Sequence, residues 1–182
     1  MGNLIVFGIL SIPILLLSWR TLFNPGSHGF YRFFGWECIA WLLASNYRFW
    51  FENAFSVRQI FSWIFLFFGA YLVIAGVIWL KKAGKPSKTR QEEALFEFEK
   101  TSELVDTGIF KTIRHPLYSS LIFLTWGIFL KNVTLPLFIV ALASTAFLYL
   151  TAVFDEKECI AYFGDKYLEY RKRTKMFIPW VV

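Results

Sequence analysis

Five apolar runs dominate this chain and restrict what it can fold into. They cover roughly residues 3–19, 33–51, 57–80, 117–130 and 134–153. A helix needs about 20 consecutive apolar residues to cross a bilayer, and only the fourth run is clearly short of that length. Hydrophobic residues make up 57% of the chain and aromatic residues 21%, which is more than an ordinary soluble domain contains. The sequence therefore predicts an all-α integral membrane bundle of about five transmembrane helices.

The runs divide a single membrane domain into four parts. Three N-terminal transmembrane helices, a cytoplasmic loop, a helical hairpin and a cytoplasmic tail are predicted over residues 1–80, 81–115, 116–154 and 155–182, respectively. The tail is expected to form an amphipathic helix. The polar segment 81–107 combines a lysine-rich start with an acidic part from Glu92 to Asp106, and it is expected to contain a short helix.

Lys and Arg are distributed unevenly along the chain, and their distribution predicts the orientation. Two, eight and six of them fall in residues 20–32, 81–114 and 155–182, which five helices place on one side, and three fall on the other side. Because basic segments stay in the cytoplasm, the N-terminus is predicted outside and the C-terminus in the cytoplasm. Topology thus accounts for the net charge of +6, so the expected partners are membrane lipids and not nucleic acid.

Several common kinds of site have no support in the sequence. Cys38 and Cys159 lie far apart, without CxxC spacing or a neighbouring histidine, so neither a disulfide nor a metal site is expected. No GxGxxG or GxxxxGK sequence is present, which argues against a Rossmann-type cofactor site or a P-loop. Glu37 lies inside the second apolar run and is a candidate functional acid. His28, in a turn, is expected to be inert.

The tripeptide Arg114-His115-Pro116 marks the start of the fourth apolar run. Proline disfavours helical conformation in the residue before it and suits the first position of a helix. A helix is therefore predicted to begin at Pro116, with Arg114 and His115 at its positively polarised end, where a carboxylate or phosphate would bind. The equally supported alternative is that Arg114 contacts lipid headgroups and His115 only caps the helix.

Glu156 is the second candidate. On a helix over residues 155–172, it shares one apolar stripe with Ile160, Phe163, Tyr167 and Tyr170. A carboxylate in such surroundings needs a partner. That partner is either a cationic ligand or, as the alternative, Arg114 or Arg173 in a salt bridge. Gly164 within this helix suggests the close approach of another backbone or of a ligand.

Residues 100–180 carry an ordered set of motifs. These are Leu104-Val105-Asp106-Thr107-Gly108-Ile109-Phe110, Arg114-His115-Pro116-Leu117-Tyr118, Asp155-Glu156, Phe163-Gly164, Tyr167, Tyr170, Arg173-Thr174 and Pro179. In this order, the motifs resemble the isoprenylcysteine carboxyl methyltransferase family, to which the phospholipid N-methyltransferases are related. The resemblance covers this region closely, and the earlier helices only in their layout.

The resemblance implies a multi-helix membrane enzyme that uses S-adenosylmethionine as its cofactor. The cofactor would lie in a cytoplasmic pocket between the last two membrane helices, the preceding loop and the tail. A lipophilic acceptor, either a prenylcysteine-like carboxylate or a phospholipid amine, would reach it from the bilayer. The catalytic residues implied by matching position are His115, Glu156 and Arg173. Those implied to bind the cofactor are Arg114, His115, Pro116, Tyr118, Glu156 and Tyr167.

Two other functions fit the same sequence. Sterol reductases resemble the same C-terminal helices but use NADPH, and Arg171, Lys172 and Lys175 are available for its adenosine 2′-phosphate. A non-enzymatic scaffold or transporter would bind no cofactor. The polar groups cluster at one end, without a path of charged residues across the bilayer, which disfavours this second alternative.

Overall fold

The computed structural model of this protein describes residues 1–85 and 94–179. In these ranges the chain forms six α-helices and no strand, and Ile113 and Lys175 form an isolated bridge. The helices are α1 (Gly2–Ser18), α2 (His28–Asn46), α3 (Val57–Ala83), α4 (Pro116–Phe129), α5 (Leu135–Phe163) and α6 (Asp165–Arg173). The predicted all-helical class is confirmed.

Local sequence signals fix where several helices begin. The hydroxyls of Ser27 and Ser56 accept hydrogen bonds from backbone N–H groups in the first turns of α2 and α3, as N-capping residues do. Pro116 opens α4, and the preceding His115 has φ −123° and ψ 59°, outside the helical region. The predicted start of α4 is thus confirmed.

The helices pack as two neighbouring pairs. α2 packs against α5 and α3 against α4, while α1 lies against α2, and α5 folds back along α4. An apolar core forms where α2, α4 and α5 meet. Its buried members are Ile39, Leu42, Ile128, Phe129, Leu137, Ala141 and Leu148. This packing brings the start of α2, the end of α3, the start of α4 and the end of α5 to one end of the bundle, here called the site end.

Among the described helices, α3 and α5 are long and apolar enough to cross a membrane. Large apolar side chains cover the outer face of α3, and the most exposed include Phe61, Ile64, Phe67, Tyr71, Ile74 and Ile78. Such a band is unfavourable in water and suits contact with lipid, which indicates a membrane protein. α1 and α4 are apolar but shorter, with 17 and 14 residues. The count of five spans stays a prediction.

Gly164 separates two helices instead of lying inside one. α5 continues beyond residue 154 as far as Phe163, and α6 begins at Asp165. Gly164 has φ +59°, a conformation that no α-helical residue adopts and that glycine adopts without strain. A side chain at this position would meet no atom within 4 Å. The expected close approach of another backbone at Gly164 is therefore wrong, because the glycine is needed for the turn itself. The approach of a ligand there stays a prediction.

The polar segment after α3 is irregular where the structure describes it. α3 extends to Ala83, and residues 94–107 form turns and bends. The predicted short helix is therefore not found in 94–107. Lys88, Arg90 and Glu92, assigned from the sequence to the basic and acidic parts of this segment, lie outside the described residues.

Candidate functional site

The segment after α6 lies alongside the backbone of Arg114 and His115 and is held there by backbone hydrogen bonds. The Arg114 N–H donates to the carbonyl of Lys175 at 2.9 Å, and the His115 N–H donates to the carbonyl of Met176 at 3.1 Å. In the other direction, the Lys175 N–H donates to the carbonyl of Thr112 at 3.1 Å. Two segments about sixty residues apart are thus fixed side by side at the start of α4.

The Glu156 carboxylate is shared by two arginines and a histidine. Its Oε1 atom accepts a hydrogen bond from Nε of Arg114 and lies 3.4 Å from Nε2 of His115. Its Oε2 atom lies 3.1 Å from Nε of Arg171. The sequence offered Arg114 or Arg173 as salt-bridge partners, and the structure selects Arg114. The second arginine is Arg171, because the turn at Gly164 changes which face of α6 meets α5.

His115 lies between two carboxylates and is 5% exposed. Its Nδ1 atom is 3.4 Å from Oδ2 of Asp155, and its ring stacks on Tyr118 with ring centres 5.4 Å apart. Burial lowers the pKa of His115, but hydrogen bonding and charge from Asp155 and Glu156 outweigh burial and raise this pKa above its ordinary value. Among the described residues, the acceptor facing Nε2 of His115 is Oε1 of Glu156, and at 3.4 Å it makes only a long contact.

A cavity of about 90 Å³ opens beside His115 at the site end. Its walls come from the ends of α3 and α5, the start of α4, the loop 95–110 and α6. The polar or titratable lining residues are Glu99, Thr101, Arg114, His115, Tyr118, Asp155, Cys159, Tyr167 and Tyr170. The apolar ones are Leu80, Leu95, Leu104, Val105, Phe110, Pro116, Leu117 and Phe163.

The structure brings most of the predicted site residues to this cavity. The residues among them that line it are Arg114, His115, Pro116, Tyr118 and Tyr167. Glu156 does not line the cavity but contacts Arg114 and His115, which do. Arg173 lies at the surface, where its guanidinium pairs with Asp106, and its side chain is 61% exposed. The functional roles assigned to these residues stay predictions.

Glu99 is a cavity residue that the sequence did not single out. Its Oε2 atom accepts a hydrogen bond from the Phe96 N–H at 2.9 Å and lies 3.8 Å from the Arg32 guanidinium. Arg32, buried on α2, is centred 4.8 Å from the Trp36 ring and 4.9 Å from the Phe96 ring, so it anchors the loop. Burial raises the pKa of Glu99, against the opposing effects of Arg32 and the Phe96 N–H. Within an acidic, polar segment, nothing in the sequence distinguishes Glu99 from its exposed neighbours.

A second, apolar groove runs from the same loop along the outer face of α3 and α4. Its volume is about 500 Å³. The lining residues are Phe68, Tyr71, Leu72, Ala75, Trp79, Gly108, Ile109, Thr112, Ile113, Phe123, Phe177, Ile178 and Pro179. Phe177 belongs to this groove and also faces the His115 ring, at 6.3 Å between ring centres. The groove therefore reaches from the lipid-facing side of the bundle to the edge of the candidate site.

The sequence profile of the phospholipid methyltransferase family matches residues 57–165, more than half of the chain. The chain therefore belongs to this family, which also includes the isoprenylcysteine carboxyl methyltransferases. The family resemblance inferred from the motifs is confirmed. The matched region contains α3, the loop that carries Glu99, and the Arg114-His115 and Glu156 positions.

Proteins named methanethiol S-methyltransferase are similar to part of the chain. Two from Bradyrhizobium diazoefficiens are 32% identical over 72 residues and 34% identical over 71 residues, and one from Pseudomonas deceptionensis is 30% identical over 71 residues. These matches cover 39% to 40% of this chain, and the chain spans about a quarter of the length of these relatives (25%, 27% and 26%). No solved structure matches the chain.

Proposed function

We propose that this member of the phospholipid methyltransferase family is an S-adenosylmethionine-dependent integral membrane methyltransferase. The acceptor proposed is a lipid or lipidated molecule that enters from the bilayer. The observation that carries the proposal is the cavity at the site end, where basic and acidic side chains from three separate segments line one space. An apolar groove adjoins it, so a water-soluble cofactor and an apolar acceptor would each have a matching surface.

The residues present fit the proposed cofactor. S-adenosylmethionine carries a carboxylate, which suits Arg114 and His115 at the start of α4. Nε2 of His115 is buried and makes only a long contact, 3.4 Å to Oε1 of Glu156, so a closer acceptor on such a ligand would satisfy it. The cofactor also carries cationic groups, which suit the Asp155 and Glu99 carboxylates on the cavity wall. The apolar wall, including Phe110 and Phe163, suits the adenosine.

The chain's own residues would position the reactants and handle a proton. When bound, S-adenosylmethionine supplies the activated methyl group. Glu156 holds Arg114 and Arg171 in place, and Arg173 fixes the tail to the loop through Asp106. A carboxylate acceptor is already ionised, whereas an amine or thiol must lose a proton, which His115 accepts at Nε2 in its neutral form. Correct placement of the nucleophile would supply most of the rate enhancement.

The proposed topology has five spans in one domain, with α1 starting outside and α6 in the cytoplasm. α1 to α5 run alternately between the two ends, so the site end is the cytoplasmic end, and the loop before α4 and the tail complete the pocket there. The uneven distribution of Lys and Arg supports this orientation. Cysteines introduced singly at Phe55 and Glu169, both exposed, would test it by their access to a membrane-impermeant thiol reagent in intact cells, in a background lacking Cys38 and Cys159.

A small thiol is the second candidate acceptor. The relatives named methanethiol S-methyltransferase favour it, although they share only the matched segment with this chain. Incubation with methyl-labelled S-adenosylmethionine and either membrane lipids or methanethiol would separate the two, since the label would appear in the lipid extract or in a volatile thioether.

Calorimetric titration of the detergent-solubilised protein tests which cofactor binds. S-adenosylhomocysteine is the first ligand, and NADPH is titrated in parallel. We expect binding of S-adenosylhomocysteine that Glu156→Ala weakens. Binding of NADPH alone would instead support a membrane reductase related to the sterol reductases. Binding of neither ligand would support a non-enzymatic membrane scaffold.

A further inference from the structure

We propose that Glu99 binds the cationic sulfur of the methyl donor and so makes the site prefer S-adenosylmethionine over the demethylated product. This inference rests on the proposed function and assigns a role within it to a residue of the loop before α4. Cation binding, one of the two roles that the sequence suggested for Glu156, is thereby assigned to a carboxylate on the cavity wall.

The charges around the cavity favour a cationic ligand. Glu99 and Asp155 both line it, and they lie close enough for the Asp155 charge to raise the pKa of Glu99. The positive charge of Arg114, which also lines the cavity, is already matched by Glu156 behind it. The Arg32 guanidinium lies 3.8 Å from Glu99, too far for a direct hydrogen bond. A cation between the two cavity carboxylates would therefore relieve their repulsion.

The two carboxylates belong to different parts of the ligand. Asp155 lies 3.4 Å from His115, at the end of the cavity that suits the donor's carboxylate. In the donor, the amino group is attached to the same carbon as that carboxylate, so it would lie beside Asp155. The sulfur is three bonds farther along the chain. Glu99, on the separate loop wall, is then the carboxylate available to the sulfur.

The position of Glu99 is fixed by the protein before any ligand binds. The Phe96 N–H holds one of its oxygens, and Arg32 holds the loop by stacking on Phe96 and by donating to the Ala94 carbonyl. Only 12% of the Glu99 side chain is exposed, so its charge is poorly screened by water. A carboxylate held in this way attracts a cation more strongly than a mobile one at the surface.

The donor and its product differ at the sulfur, which provides a direct test. S-adenosylmethionine has a positive sulfonium, whereas S-adenosylhomocysteine has a neutral thioether, and their other groups are the same. We expect Glu99→Gln to weaken binding of S-adenosylmethionine about tenfold, as neutralising one member of a partly buried charge pair does, and to change binding of S-adenosylhomocysteine less than about twofold.

Glu103→Gln is the matched control in the same loop. Glu103 pairs with Lys85 at the surface, is 54% exposed and does not line the cavity, so neither affinity should change. Glu99→Asp retains the charge but draws the carboxylate back toward the backbone, so it should lower the preference for the sulfonium. Thermal unfolding of Glu99→Asp and of Glu99→Gln shows whether either variant has lost its fold.

The outcomes separate the inference from the function beneath it. If Glu99→Gln weakens the binding of both ligands equally, or of neither, the inference is overturned and the proposed function still stands. If Glu99→Gln unfolds, loss of the sulfonium preference in a folded Glu99→Asp supports a role for carboxylate placement, and unchanged affinities overturn it. If the wild-type protein binds neither ligand, the proposed function fails and the inference fails with it.

Discussion

Glu158 binds both the backbone and the side chain of His28, which lies 130 positions earlier in the chain. Its Oε1 atom accepts from the His28 N–H at 3.0 Å, and its Oε2 atom lies 2.7 Å from Nδ1 of the ring. His28 is fully buried. The histidine that the sequence suggested to be inert thus ties the start of α2 to the end of α5, beside Asp155 and Glu156.

This contact predicts that Glu158→Gln destabilises the protein. The substitution removes a charged acceptor from a buried histidine, for which a loss of about 1–3 kcal/mol in the free energy of unfolding is expected. Thermal unfolding in detergent measures it. Glu169→Gln is the control, since Glu169 pairs with Lys172 at the surface and such exposed pairs contribute little. An equal effect in both variants would contradict the prediction.

Glu156→Gln should weaken binding of S-adenosylhomocysteine by at least about tenfold. Glutamine has nearly the same shape, but it leaves Arg114 and Arg171 without their shared negative charge. Arg114 then keeps its hydrogen bond to the Thr174 carbonyl, at 2.7 Å, but is held less firmly at the cavity wall. Calorimetric titration measures the affinity. Unchanged affinity in a folded Glu156→Gln variant would show that the network is not needed for the ligand.

The raised pKa of His115 predicts that stability falls as the pH rises. A histidine whose folded pKa lies above the ordinary value of 6.5 contributes its full stabilisation below that pH, and loses it as the pH rises through the raised pKa. The melting temperature of the wild type should therefore fall from about pH 6 to about pH 8, and that of His115→Asn should change less. Parallel curves for the two proteins would contradict this.

Lys131 limits the pH range of that measurement. Its side chain is buried against Trp63, with Nζ 3.6 Å from the ring centre, and burial and the charge of Arg58 lower its pKa to about 8. A lowered lysine pKa has the opposite sign, because the cost of burying the charge disappears as the pH rises above it. Readings well above pH 8 would therefore mix the two effects.

Gly108 and Gly164 provide a matched pair of glycine substitutions. Both have φ near +60°, so alanine should cost about 1–3 kcal/mol at either position. At Gly108, however, the new methyl group would lie 2.0 Å from the Trp79 ring, whereas at Gly164 it would meet no atom within 4 Å. Gly108→Ala should therefore lower the free energy of unfolding by about 1–3 kcal/mol more than Gly164→Ala does, because overpacking a filled site carries a cost of that size. Thermal unfolding of the two variants measures this difference. Equal losses of stability would contradict the close packing of Gly108 against Trp79.

Glu37 is a residue that the sequence identified without indicating its partner. The apolar run marked it as an acid inside the membrane segment, and the structure places its Oε2 atom 2.6 Å from the Ser11 hydroxyl of α1, with Oε1 lacking a partner among the described residues. The pattern identified the unusual residue, but it did not indicate that α1 supplies a hydrogen bond. A functional role for Glu37 stays a prediction that its mutation would test.

The sequence by itself determined the features that depend on neighbouring residues. Apolar runs fixed the helical class, Pro116 fixed the start of α4, and the ordered motifs fixed the family. Each follows from local backbone sterics, from the length of an apolar segment or from a fixed spacing. These causes act within a few turns of chain, so a linear pattern records them.

Tertiary structure alone decided which charges meet. Arg114 and Glu156 are 42 positions apart, and the choice of Arg171 over Arg173 depends on the direction in which α6 leaves the turn at Gly164. Glu99 becomes a cavity residue because Arg32, on α2, holds its loop over the site. Coulombic and hydrogen-bond energies depend on distance in space, which the order of residues along the chain does not specify.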